Sequence, residues 1–384
     1  MDRLLRDAVF FDTNTKEWFD LYGLRVNDGA FVEILSADIP KRHFEGCKTF
    51  ILPGLIDAHV HITEEPIHSL FSENDPDEPI EKSVLRAKRN LQKAIQIGVT
   101  TIRDLGSFGF RALKVRDFMD SNGMLDDLPR FLTSGGFLTR YNGHAVERGI
   151  IVGPDDDPRR AAETLISRGA DGIKIMNDPP VFTVSELTGI VKCAHEHGLP
   201  VAVHVFSGNA IRIAVEAGVD SLEHVGDLDD DTIREIIARD IVVVPTFVAA
   251  LDTVSDRCNM PDTLFGDASL TIFNNWYEDE CKVLPRLWKF GAKLACGSDG
   301  GFPGTDCDSL IREMMCWRML NIPMQDVLWG ATRGSAEALS LESELGSVAA
   351  GYSADYVVYG ENPAINPEVL FSPREVWRKG KKLV

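Results

Sequence analysis

No two of the seven cysteines stand in a Cys-x-x-Cys pair; their number is odd and they are scattered from Cys47 to Cys316. That excludes a disulfide framework as the source of stability and fits a reducing compartment. No run of eighteen apolar residues occurs, so no transmembrane helix is expected. The opening Met1-Asp2-Arg3-Leu4-Leu5-Arg6-Asp7 has no apolar stretch ending in small residues, so no secretory leader is expected, and a cytoplasmic location follows by default. Positive charge is in deficit. Lys and Arg number 40 against 59 Asp and Glu, a net charge of −19, which argues against a nucleic-acid backbone or an anionic membrane as partner. A Gly-rich phosphate loop, an internal repeat and a low-complexity tract are also missing. What remains is an ordinary globular composition, 44% apolar and 26% charged, with enough apolar residues for a large core.

Short apolar runs alternate with helical spacing through the middle of the chain. The runs are 50–56, 100–103, 130–133, 172–175, 201–203, 220–222, 241–244 and 293–296. The helical stretches are 80–97, 159–168, 184–197, 209–217, 232–238 and 324–339. Val184–His197 illustrates the signals: Thr183 as N-cap, Glu186 in the first turn, Gly198 as stop. Eight βα units over roughly 250 residues predict a closed parallel barrel of α/β class, a (β/α)8 TIM barrel, rather than an open doubly wound sheet. Both ends read instead as β structure, with strands over 8–11, 21–26, 30–34, 355–359 and 376–383. The expected division is a barrel of 53–342 and a small discontinuous β-sandwich domain of 1–52 plus 343–384.

Ligand-type side chains recur at the carboxyl ends of these strands. His59 and His61 close the first, Lys174 lies in the fourth, His204 closes the fifth, His224 the sixth, and Asp299 follows the eighth. Residues two apart in a strand share a side, so His59 and His61 are both expected to face the barrel axis. The strand ends converge on one mouth, where barrel enzymes keep their active sites. Neutral imidazole and carboxylate are ligands for zinc and similar divalent ions. Lys174 is the odd member, because a protonated ammonium has no lone pair. As a neutral amine it can take up carbon dioxide, and the resulting carbamate offers two oxygens to two metals.

Other candidates read blandly. His195 and His197 form a second His-x-His, but on a helix end, where residues two apart point about 200° apart. His43 has no assigned role, His68 is expected on a solvated loop, and Asp227, Asp229, Asp230 and Asp231 read as a solvated helix start rather than a calcium loop. Arg103, at the end of the second strand, is expected to pair either with a substrate carboxylate or with Asp104.

The segments PGLIDAHVH (53–61), GVTTIRDLG (98–106), GADGIKI (169–175), GLPVAVH (198–204), AGVDSLEH (217–224) and CGSD (296–299), with the tail LGSVAAGYSADYVVY (345–359), resemble the amidohydrolase superfamily. They are most similar to its imidazolonepropionase-related and Xaa-Pro or Xaa-Arg dipeptidase-like branch. The resemblance runs over nearly the whole chain in the right order. It implies two zinc ions bridged by a carboxylated Lys174, one held by His59, His61 and Asp299, the other by His204 and His224. It implies Asp299 as general base and proton donor, metal-bound hydroxide as nucleophile, and an amide-type C–N bond in a dipeptide or N-acyl amino acid as the target. A further match, SGGFLTRYNGHA (134–145), makes His144 the candidate for polarising the carbonyl or holding a carboxylate. Two departures mark the substrate side: Val205-Phe206-Ser207 where relatives often have a Tyr, and Met176-Asn177-Asp178-Pro179-Pro180 where they often have a Gly-rich loop. Phe206 and Asn177 therefore join Arg103 and His144 as expected substrate contacts. The alternatives are a mononuclear hydrolase of a cyclic amide such as an imidazolone, an esterase, lactonase or carbamate hydrolase on the same centre, and a non-enzymatic scaffold. A small-molecule substrate is expected; the oligomeric state is left open, a homo-oligomer included.

Overall fold

A computed structural model describes residues 2–41, 43–65, 78–255 and 267–384, the side chains of 2–6 and 267–273 excepted. His68 and Cys258 lie outside the described residues. The other six cysteines are free thiols. Among the described residues no helix is long and apolar enough to cross a membrane.

Eight parallel strands curl into the barrel. The first seven are Leu55–Val60, Val99–Asp104, Arg130–Thr133, Ile173–Met176, Val201–Val205, Ser221–His224 and Val242–Val244. The eighth, around Leu294–Cys296, closes the ring by single bonds rather than a full ladder. Ala295 N–H donates to Val243 O at 2.9 Å, and Ala58 N–H donates to Cys296 O at 3.0 Å. An extra pair, Phe137–Thr139 and Ile150–Ile151, extends the sheet beside the fourth strand. Apart from Arg130–Thr133, the first seven strands are buried on both sides, as parallel strands between a packed lumen and a helical layer must be. Ile56, Ala58, Val242, Val244 and Ala295 fill the lumen, and Ala336, Ala338 and Leu339 plug its floor.

The helix Val184–Glu196 starts where its sequence says. Thr183 and Glu186 form a reciprocal capping box, with Thr183 N–H donating to Glu186 Oε2 at 2.8 Å, a cap worth about 1 kcal/mol. Gly198 follows it at φ +71°. Four helices escape the sequence reading: Arg111–Ser121, Phe247–Val254, Asp267–Phe290 and Leu310–Met319. In Phe247–Val254 the first four residues are apolar and buried and follow closely on the apolar strand Val242–Val244, so the short run reads as strand rather than helix. Asp267–Phe290 carries Pro285 in its interior, which reads locally as a break. The stretch 324–339, expected as one helix, is Met324–Trp329, a π-helical turn Gly330–Gly334, and Ser335–Ala338.

The two chain ends share one curled seven-stranded sheet, the sandwich unit expected from them. Its order is 381–382, 375–378, 356–359, 49–53, 2–12, 17–27, 30–36. Val357 pairs with Leu52 and Tyr359 with Phe50. Alternation divides the side chains as a strand must. Val9 and Phe11 join the main core, while Ala8 and Phe10 join a separate core with Phe31 and Tyr356. The run 50–56, read as one strand, is divided at Gly54. A Cβ there would lie 2.1 Å from Thr100 Oγ1, so only glycine lets the chain pass from sheet to barrel at this point.

Candidate metal centre

His59, His61, Lys174, His204, His224 and Asp299 meet at one mouth of the barrel. His59 Nε2 and His61 Nε2 lie 3.5 and 3.2 Å from the same atom, Asp299 Oδ1. One ligand atom from each of His59, His224 and Asp299 lies within 4.8 Å of the others. The His59 and His224 ring centroids are 4.9 Å apart, and those of His204 and His224 4.6 Å. Lys174 Nζ, His204 Nε2 and Asp299 Oδ1 are buried with no hydrogen-bond partner. Orphaned buried polar atoms are costly, and these three belong to neighbouring residues, Lys174 lying close enough to Asp299 and to His204 for their charges to interact.

The far nitrogens of three of the rings are taken. His59 Nδ1 lies 2.8 Å from Glu223 Oε2, His61 Nδ1 2.7 Å from the Gly106 carbonyl, and His224 Nδ1 2.7 Å from Thr246 Oγ1. A carboxylate or carbonyl can only accept, so the first two contacts place the proton on Nδ1 and leave the Nε2 lone pair facing the site. Two lone pairs and a carboxylate oxygen then face one another. Either an extra proton or a cation must sit among them, and a divalent ion serves all three at once. Electrostatics favour the neutral form at three of the rings; at His61 burial lowers the pKa, but the Asp299 carboxylate outweighs it and raises the imidazole above its ordinary value. Burial pushes the His224 imidazole down to about 3 and holds His59 and His204 well below their ordinary value, so all three are neutral donors. Burial alone would raise the Asp299 carboxyl, but the imidazoles of His59, His61 and His224 outweigh it and keep Asp299 ionised. Burial also lowers the Lys174 amine to about 8, against the opposing pull of Glu223 and Asp299.

Backbone strain helps to aim these side chains. Ser221 and Glu223, two apart in the sixth strand, both point inward. Alternation alone would turn His224 away. His224 instead adopts φ +71°, and Asp299 adopts φ +54°, left-handed conformations that a non-glycine residue enters at a cost of about 1–3 kcal/mol.

Arg103 is corrected on both counts: neither a substrate contact nor a partner of Asp104. Its Nε donates to Ala58 O at 2.6 Å, Nη1 to Ala338 O at 2.8 Å and to Ser221 Oγ at 3.2 Å, and Nη2 to Glu223 Oε1 at 2.9 Å. Asp104, the next residue, points to the opposite side and accepts from Ile62 N, Gly106 N and Thr133 Oγ1. Arg103 thus braces Glu223, and Glu223 braces His59. The sequence reading missed Glu223 although the i, i+2 spacing with Ser221 marked it as inward-facing. Glu223→Gln is expected to weaken metal binding by about 10–100-fold, the usual effect of losing such a supporting partner, as read by competition with a chromogenic chelator.

Asn177 turns the loop after the fourth strand. Its Oδ1 accepts from Val181 N–H at 3.0 Å and Phe182 N–H at 2.9 Å, while its Nδ2 is buried without a partner. The ring of His144, an exposed residue, stacks on His204 at 4.7 Å and 4°. The Phe206 ring lies 4.8 Å from that of His204 and 5.4 Å from that of His224. Trp276, absent from the sequence reading, stands edge-on to His224 at 5.5 Å. The second His-x-His stays outside: His195 binds Asp220 and His197 its own helix's Cys193 carbonyl, both exposed. Asp229 caps the helix Asp230–Ala238 through Thr232 N–H at 2.8 Å.

The sequence profile described as Amidohydrolase family matches residues 50–383. The chain belongs to the amidohydrolase family. Among characterised relatives of this amidohydrolase, ochratoxinase of Aspergillus niger is 25% identical over 397 aligned residues, covering 90% of this chain and 79% of the relative. Imidazolonepropionase of Shewanella piezotolerans is 21% identical over 350, covering 82% and 79%. Among solved structures, a Xaa-Pro dipeptidase with bound methionine superposes with a TM-score of 0.83 at 24% identity, covering 97% of each chain. The A. niger ochratoxinase structure superposes with a TM-score of 0.81 at 21% identity, covering 98% of this chain and 94% of that one. The amidohydrolase is thus a hydrolase of C–N bonds on a metal-capable barrel.

Proposed function

We propose that this amidohydrolase is a binuclear metal-dependent hydrolase of an N-acyl amino acid or dipeptide amide bond. The observation that carries the reading is the meeting of the His59 and His61 Nε2 atoms at Asp299 Oδ1, beside two further buried atoms without partners, Lys174 Nζ and His204 Nε2. His59, His61 and Asp299 would hold one ion, His204 and His224 a second, with Lys174 between them. A divalent ion in such a site lowers the pKa of water from about 15.7 to about 7 and polarises a carbonyl oxygen.

The chain's own residues supply the rest. Lys174 is buried and unpartnered, as a group awaiting conversion would be. Its neutral amine adds to carbon dioxide, forms an N–C bond and releases a proton, and the carbamate carries the negative charge that an ammonium could not. Asp299 Oδ1 stands where it can take a proton from a water and return it to the leaving nitrogen. His144, whose ring stacks on His204, would donate to the substrate carbonyl oxygen or to its carboxylate. Zinc is the proposed metal because the ligands are mainly imidazole.

The similarity to ochratoxinase and to a Xaa-Pro dipeptidase supports an amide over an ester target. The similarity to imidazolonepropionase supports the second reading, one ion and a cyclic amide, in which Lys174 stays unmodified. Metal analysis of purified protein joined to a panel of dipeptides, N-acyl amino acids, cyclic amides and esters separates them. Two ions per chain with amide turnover is the expected result. One ion per chain with Lys174 at its unmodified mass would sink the binuclear proposal.

A further inference from the structure

One buried acid has no part in the mechanism above. Glu280 lies in the helix Asp267–Phe290, which follows the seventh barrel strand, and is wholly buried. Its Oε1 accepts the Trp276 indole N–H at 2.9 Å, one helical turn away. Its Oε2 has no partner. Burial, with the Glu313 carboxyl close by, drives Glu280 well above the usual carboxylate range. Glu313 makes a useful contrast. Its Oε1 accepts from Trp317 Nε1 at 2.7 Å and its Oε2 from Val248 N–H at 2.6 Å, so both oxygens are served. A buried carboxyl with one idle oxygen is a poor space-filler, because leucine would fill the same room without a polar group to desolvate. What Glu280 does is fix the indole.

The fixed indole faces the metal centre. Trp276 stands edge-on to His224 at 5.5 Å and 89°, packs on Phe206 at 5.3 Å, and meets Phe302 at 6.4 Å and 87°. Phe206 and Phe302 are partly exposed, while Trp276 is buried behind them. The histidines His204 and His224 are therefore flanked by an aromatic wall, and an indole free to rotate would break it. Aromatic rings pair best edge-to-face or offset at such distances, and each pair is worth about 0.5–1.5 kcal/mol beyond the area it buries.

The geometry points to Glu280 as a positioning residue that locks Trp276 into this wall and so selects substrates with a flat, apolar acyl group beside the scissile amide. The inference rests on the amide-hydrolase reading proposed above. Its test uses the full-length, metal-loaded protein and two substrates that share one amino acid, the N-benzoyl and N-acetyl derivatives. Variants Glu280→Gln, Glu280→Leu, Trp276→Phe and the Glu280→Leu/Trp276→Phe double variant are compared.

Glu280→Leu is expected to raise KM for the N-benzoyl substrate by about tenfold, the equivalent of about 1.4 kcal/mol, with kcat and the N-acetyl KM unchanged. Glu280→Gln keeps an acceptor and should behave as wild type. Trp276→Phe, which keeps a ring but lacks the N–H, should match Glu280→Leu, and the double variant should lose no more than either. A Glu280→Leu loss equal for both substrates, or one that adds fully to Trp276→Phe, overturns the inference. If Glu280→Leu does not fold, the other two single variants decide: Trp276→Phe must discriminate between the substrates and Glu280→Gln must not, and any other pattern overturns the inference. If wild type hydrolyses neither substrate, the amide reading fails separately. Binding of the N-benzoyl compound, read by the fluorescence difference between wild type and Trp276→Phe, then still tests the wall; no binding preference over the N-acetyl compound overturns it.

Discussion

Asp299→Asn is expected to abolish turnover while leaving the fold and most of the bound metal in place. The carboxylate sits 3.2 Å from His61 Nε2 and 3.5 Å from His59 Nε2, kept ionised by the neighbouring imidazoles despite its burial. An amide of the same shape keeps one oxygen for a metal but has no basic oxygen to accept a proton. The loss should be about 10²–10⁴-fold in kcat, the range of a general acid–base group. Steady-state kinetics alongside metal analysis separates this from loss of the ion. His59→Ala gives the contrasting result: turnover and metal should disappear together. An Asp299→Asn variant with full activity would show that the proton shuttle is misassigned.

Lys174→Ala is expected to halve the metal content and remove most activity. Lys174 is among the largest wholly buried side chains, so alanine leaves a space beside His204, His224 and Asp299. Leucine-sized cavities that stay open cost about 2.7–5.0 kcal/mol, so a fall in Tm accompanies the loss. The discriminating readout is chemical. A short carboxylate such as acetate or propionate fits the vacated space, supplies two oxygens and should restore part of the activity and the second ion. Mass spectrometry of wild type under gentle conditions should show the mass of one added carbon dioxide, lost on acidification. If neither carbon dioxide on wild type nor rescue of the variant is seen, Lys174 is a plain buried amine and the mononuclear reading gains.

Much of the architecture was legible because parallel strands and their helices obey different periods. The helix after Thr183 was legible from its cap, and the grouping of His59, His224 and Asp299 from the recurrence of such side chains at strand ends. The rest had physical causes for hiding. Alternation is consistent with Ser221 and Glu223 inside but would put His224 outside; the backbone of His224 instead turns to φ +71°. Arg103 carried a charge at a strand end, which reads as a substrate clamp, yet its alternation within the strand turned it to Glu223 and the barrel floor. Trp276 and Phe302 come from segments outside the strands, so no strand period announces them. Phe247–Val254 is only eight residues long and starts with an apolar run close behind a buried strand, so its period is too short to read.

The sheet shared by the two chain ends has a consequence for how the chain is made. Phe50 and Leu52 find their partners in Tyr359 and Val357, some three hundred residues later in synthesis. Until those residues leave the ribosome, the strand Thr49–Pro53 presents one unpaired edge, its other edge being held by the first strand, where Val9 pairs with Phe50 and Phe10 with Ile51. Closing so long a loop costs entropy that only late contacts repay, and pairing at such separation slows folding. An exposed, apolar edge held open for that time is a template for strands from other nascent chains. Yield on overexpression should therefore follow synthesis rate and chaperone supply more closely than the stability of the finished barrel.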